Sequence, residues 1–108
     1  MAAVELHDEI VDWLDTLSDR EWDRVVVIAD RLAGPAWVHA PGCRCRNLGD
    51  GLFELRSTFG ATARRITYRF TRDGRIILLT TFRKQRNNET DEITRARKVA
   101  DDCARRYP

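Results

Sequence analysis

Two turn signals divide the middle of the chain and leave few ways to fold it. Gly49-Asp50-Gly51 separates Arg44-Cys45-Arg46 from the run Leu52 to Ser57, and Asp73-Gly74 separates Ile66 to Arg72 from Arg75 to Phe82. Asp-Gly suits a type I′ turn, because both central residues need positive φ, which glycine adopts without strain and aspartate tolerates. The flanking runs therefore predict β-hairpins with antiparallel neighbours. Ile76-Ile77-Leu78-Leu79 is apolar at every position, the pattern of a central strand covered on both faces.

Helical spacing flanks this block. Ala2, Val4 and Leu6 alternate with Ala3, Glu5 and His7, which is consistent with a short strand, helical continuation from Asp8 being the competing reading, and from Ile10 the period changes. Ile10, Trp13, Leu14 and Leu17 then share one helical stripe, with Asp12 and Asp15 outside it. Ser18-Asp19-Arg20-Glu21 matches a capping box, which predicts a second helix with Trp22, Val25, Val26, Ala29 and Leu32 on its apolar face. Gly34-Pro35 stops that helix, and 35–42 reads as a loop. Trp13 and Trp22 are expected in the core and Trp37 as a plug in the loop. From Asn88 to Tyr107 the spacing of Ile93, Ala96, Ala100 and Cys103 predicts a third helix packed on the sheet. Its start is acidic (Glu89, Asp91, Glu92) and its end basic (Arg105, Arg106), which complements the helix dipole.

The fold class expected is α+β: residues 1–108 as a single domain, with a small, mostly antiparallel twisted sheet, two N-terminal helices and a C-terminal helix. With 108 residues, 43% hydrophobic and 33% charged, the chain can bury a modest core unaided. No leader or run of about 18 apolar residues is present, so a cytoplasmic protein with no membrane partner is expected. Cys43, Cys45 and Cys103 are odd in number and read as reduced thiols. Cys43-Arg44-Cys45 with His39 nearby lacks the spacing of paired zinc ligands, so no metal and no cofactor is expected.

A net charge of +2 conceals a lopsided distribution. Residues 1–43 carry net −6, residues 44–86 net +8, and residues 87–108 net zero. Such a basic band reads as a footprint for phosphate or for an acidic partner. Strand alternation sorts it: Leu52, Glu54 and Arg56 oppose Phe53 and Leu55, and Arg65, Thr67 and Arg69 oppose Ile66, Tyr68 and Phe70. Continued through Ile76 to Arg83, strict alternation groups Ile77, Leu79, Thr81 and Arg83. Arg56, Arg65 and Arg69 then line one surface, joined by Arg83, Lys84 and Arg86 where the last strand runs out. Guanidiniums on rigid strands suit phosphate, because their planar fork donates two parallel hydrogen bonds and keeps its charge.

These segments, LGDGLFELR, RRITYRF, TFRKQ and ITRARKVADDCARRY, preceded by VELHDEIVDWLDTL, resemble the RelE/HigB-type toxins of bacterial toxin-antitoxin systems, in the branch shared with phage-derived proteins. The resemblance covers nearly the whole chain. It implies a compact fold with a small antiparallel or mixed sheet, and ribosome-dependent cleavage of messenger RNA. It also implies a cognate antitoxin, a helix-turn-helix protein through whose complex alone DNA is contacted. A gyrase-inhibiting relative, or a non-catalytic basic module binding antitoxin or nucleic acid, are the competing readings.

RNA supplies its own nucleophile, the 2′-hydroxyl, so a metal-independent ribonuclease need only align attack, neutralise the phosphorane and move two protons. Arg56 and Arg65 are the candidates for phosphate and transition-state charge, with Arg83 and Lys84 completing the catalytic set. Arg44, Arg46, Arg69 and Arg86 are the candidate RNA contacts. His7 and His39 lie outside the basic band, a departure from histidine-containing relatives. Lys84, whose protonation the arginines disfavour, is a candidate base. Tyr68 and Tyr107 are candidate acids, Tyr68 with a core role the stronger expectation.

Overall fold

The computed structural model describes residues 4–33, 44–59, 62–84 and 89–108. The elements are β1 (Val4–Leu6), α1 (Asp8–Leu14), α2 (Asp19–Ala33), β2 (Arg44–Gly49), β3 (Leu52–Phe59), β4 (Thr62–Phe70), β5 (Ile76–Arg83) and α3 (Glu89–Arg106). The strands form one five-stranded sheet in the order β1-β5-β4-β3-β2. Consecutive strands pair antiparallel from β2 to β5, and β1 adds in parallel to β5. This is the α+β architecture the sequence predicts. Gly34-Pro35, Trp37, His39, Cys43 and Arg86 lie outside the described residues.

Each face of the sheet buries its own core. Ile10, Trp13 and Leu14 of α1 and Val25, Ile28 and Leu32 of α2 close over Leu55, Ile66, Tyr68, Ile76 and Leu78. On the opposite face Ala96 and Cys103 of α3 meet Leu52, Ile77 and Leu79. The unbroken apolar run of β5 thus feeds both cores, alternate residues going to alternate sides.

The capping box forms as its spacing requires. Glu21 N donates to Ser18 Oγ at 3.3 Å, and Ser18 N approaches Glu21 Oε1 at 3.3 Å. The face α2 buries is rotated from the expected one: Val25, Ile28 and Leu32 are buried, whereas Trp22 and Val26 are each more than two-fifths exposed. Five consecutive apolar residues, Val25 to Ala29, permit either rotation. The sheet selects the one that seats branched Ile28 rather than the Trp22 ring.

The two turns differ. At the first, Asp50 (φ 56°) and Gly51 (φ 80°) both take the positive φ of a type I′ turn. At the second, Gly74 alone is positive (φ 85°) among the turn residues, so the type I′ expectation fails. Thr71 N donates to Arg75 O at 2.8 Å and Gly74 N to Thr71 O at 3.1 Å, which closes a three-residue loop with glycine in the left-handed position. Asp73 is drawn into side-chain bonding instead, accepting from the Thr71 hydroxyl and from Arg75 Nε.

A bulge in β5 positions the functional residues. Thr67 pairs with Thr80 and Tyr68 with Leu78, leaving Leu79 as an extra residue. Alternation therefore slips by one beyond it: Thr80 and Phe82 lie with Thr67 and Arg65, while Thr81 and Arg83 lie with Ile66 and Arg64.

Candidate nucleic-acid interface

On the face covered by α3, register aligns Arg56, Arg65 and Phe82 in one cross-strand row, and Arg46, Glu54, Thr67 and Thr80 in the next, and the Arg44 backbone pairs with that of Arg56. Like charges directly opposite one another are destabilising, so the Arg56–Arg65 pair needs compensation. Glu54, 1% exposed, supplies it. Its Oε1 accepts from Arg56 Nε at 3.0 Å and lies 3.6 Å from Arg65 Nε. The second contact is an ion pair without a hydrogen bond. Arg65 Nε is buried and has no hydrogen-bond partner among the described residues. Arg65 Nη2 lies 3.8 Å from Glu89 Oε1, in the first turn of α3.

The other predicted site residues separate into three groups. Lys84 N donates to Ala63 O at 3.0 Å, which carries the ladder one residue past β5 and places exposed Lys84 on the Arg65 face. Arg46 is exposed on β2, level with Glu54. Arg69 shares this face but is engaged elsewhere, donating to Tyr107 O at 2.6 Å and to Cys103 Sγ at 3.6 Å at the end of α3. Arg83 does not join the group. The bulge sets it on the opposite face, directly across from Arg64, which corrects the single arginine surface drawn by strict alternation.

Around Arg83 lies a second basic site. Arg64 Nη1 donates to Thr81 Oγ1 at 3.1 Å, and its guanidinium lies 5.1 Å from the centroid of the Trp13 ring. Burial and, secondarily, the facing Arg83 hold the Arg64 pKa below its ordinary value. A cavity of about 170 Å³ opens here, lined by Trp13, Thr16, Glu21, Thr62, Arg64 and Arg83 among others.

Glu54 and Arg64 were not singled out as site residues by sequence. The signal for Glu54 was its i, i+2 spacing to Arg56, which places both on one face of a strand. Arg64-Arg65 is a doublet in a strand, and such a doublet divides between the two faces. Tyr68 is a core residue: its ring stacks on Phe53 at 5.5 Å and meets Phe70 edge-on, and burial, with the Cys45 thiol, raises its phenol pKa. Tyr107 is exposed, with Arg75 over its ring. Among the described residues no helix is long and apolar enough to cross a membrane. None of their His, Cys, Asp and Glu residues gather in threes able to hold a metal ion.

Fold and site together define an α+β protein that carries opposed arginine pairs on both faces of a mixed sheet. The family model described as Phage derived protein Gp49-like (DUF891) matches residues 12–101, and the chain belongs to that family. The family is toxin-like, of the kind found in toxin-antitoxin systems. No curated protein and no solved structure matches the chain.

Proposed function

We propose that this protein is the toxin of a type II toxin-antitoxin pair and cleaves messenger RNA on the ribosome by transesterification. One observation carries the reading: Arg56 and Arg65, opposed on neighbouring strands, share the single carboxylate of Glu54 while the buried Arg65 Nε keeps an unused donor. A phosphodiester entering past Glu89 supplies the missing acceptor and draws both guanidiniums to itself, where they stabilise the phosphorane charge. Glu54, released from Arg56, takes the proton of the 2′-hydroxyl. Lys84, on the same face, is then the acid rather than the base its sequence position suggests, since Glu54 fills that role, and it protonates the departing 5′ oxygen. RNA geometry is imposed by the ribosomal site, so the protein supplies charge and proton transfer on a rigid sheet. A cognate antitoxin neutralises the basic rows.

The experiment is brief induction followed by mapping of RNA ends, repeated in vitro with purified ribosomes and a defined message. Codon-phased cuts in translated messages, absent in a Glu54→Gln variant, are the expected result. DNA breaks with intact messages would instead indicate a gyrase poison, and neither effect a non-catalytic module.

A further inference from the structure

We propose that Arg64 and Arg83 form a second phosphodiester subsite, on the face of the sheet opposite Glu54, which holds the RNA strand outside the reacting centre. This deepens the reading of the protein as an RNA-cutting toxin and rests on it.

The two residues stand directly opposite one another across β4 and β5. Such pairing costs stability, and Arg64 adds a desolvation cost because it is partly buried over Trp13. On the other face the same cost is offset by Glu54; here, among the described residues, no carboxylate lies within ion-pair distance of either guanidinium. Glu21 and Glu9, the acids that act on Arg64 through space, accept hydrogen bonds from other groups. Glu9 accepts from Arg95 and from Thr81 N, the latter at 2.8 Å, and Glu21 Oε1 accepts from Ser18 Oγ at 2.9 Å. Two cations set opposite one another beside a polar cavity, with Glu21 on its wall and Glu9 acting on Arg64 only from beyond ion-pair distance, keep capacity for an external anion.

Position favours a nucleic-acid strand over an acidic protein. Arg64 and Arg65 are consecutive on β4, as are Arg83 and Lys84 at the end of β5, so each strand contributes one cation to each face. The four charges surround one end of the sheet, where strands lie only about 4.8 Å apart. A polyanion with evenly repeated charge follows such a track from the Glu54 face to the Arg64 face. An acidic segment would have to match it with irregularly spaced carboxylates.

The test is fluorescence anisotropy with a 2′-O-methyl RNA oligonucleotide, which lacks the attacking hydroxyl and so cannot be cut, across a salt series. Arg83→Gln is the principal variant, because Arg83 is exposed and its loss spares the fold; Arg83→Lys and Arg64→Lys are charge-conserving controls. Arg83→Gln is expected to weaken binding by the same factor for oligonucleotides of different sequence. It should also lower the log–log salt slope by about 0.7 for the lost phosphate contact, and Arg83→Lys should restore the slope. An unchanged slope in Arg83→Gln overturns the proposal. So does a variant that keeps oligonucleotide affinity but loses binding to polyglutamate, which would mark the surface as one for an acidic protein. Inorganic phosphate that displaces the oligonucleotide at equal phosphate concentration would point to a free-phosphate site and also overturn it. Because the probe is uncuttable, the two readings fail separately. Slope loss in a protein that never cleaves RNA sinks only the ribonuclease reading, and cleavage with an unchanged slope sinks only the subsite.

Discussion

Thr67 and Thr80 share a buried hydrogen bond between their hydroxyls, 2.5 Å long, where β5 carries one residue more than β4. Thr67 Oγ1 also accepts from the backbone amide of Thr80 at 3.2 Å. The hydroxyl of Thr67 therefore ties down an amide that the bulge takes out of the regular ladder.

The two threonines should differ in cost when replaced. Thr67→Val strands both the Thr80 amide and the Thr80 hydroxyl in the core, and a loss of about 1–3 kcal/mol is expected. Thr80→Val leaves the amide bond to Thr67 in place, and about 0.5–1.5 kcal/mol is expected. Urea unfolding of both variants measures the difference. Equal losses would show that the amide does not depend on Thr67.

The same bulge explains what the sequence hid about the site. Period-two patterns identified β3 and β4 correctly, and Arg56 and Arg65 fall on one face as alternation requires. An inserted residue in an all-apolar run leaves no trace, because Ile76 to Leu79 is equally at home in either phase; only pairing with Thr67 reveals that Arg83 has changed sides. The rotation of α2 was hidden in the same way by the run Val25 to Ala29. The capping box and the Asp50-Gly51 turn were legible, since each depends on neighbours within four residues. The Glu54–Arg65 contact was not, because it spans two strands whose register the sequence does not state.

Glu54→Gln keeps the shape of the site and removes its one buried negative charge. Arg56 then faces Arg65 without its carboxylate partner, and Arg65 keeps only the 3.8 Å contact with Glu89. A loss of about 3 kcal/mol, the low end for a buried pair stripped of one partner, is expected because Arg56 is one-third exposed and Arg65 keeps Glu89, and RNA cleavage should disappear. Added phosphate should recover more thermal stability in this variant than in the wild type, because an anion that binds only the folded state stabilises it by mass action. Equal phosphate shifts in the two proteins would argue that the arginines do not form an anion receptor.

Ser18→Ala tests the helix start. Ser18 Oγ satisfies the Glu21 amide while Glu21 satisfies Ser18, and both are exposed enough that no packing is lost. The expected cost is about 1 kcal/mol, within the usual range for a lost N-cap. It is read from chemical unfolding, with faster amide exchange in the first turn of α2. Unaltered exchange there would mean that packing of Val25 and Ile28, not the cap, fixes the helix start.

Asp73 gives the turn between β4 and β5 a pH dependence of known sign. Its carboxyl is held below the ordinary aspartate value first by the Thr71 hydroxyl and second by Arg75. With the native value below the unfolded one, the folded chain binds fewer protons, so this contribution to stability rises with pH. It is fully present above the unfolded value of about 3.9 and is lost as pH falls through the native value. The stability difference between wild type and Asp73→Asn should therefore shrink below about pH 4. NMR titration of the carboxyl carbon checks the cause directly. Thr71→Val should raise the Asp73 midpoint more than Arg75→Lys, which retains the cation, because the hydroxyl is the larger contributor. A larger rise in Arg75→Lys would reverse that order and make the guanidinium the element that shapes the turn.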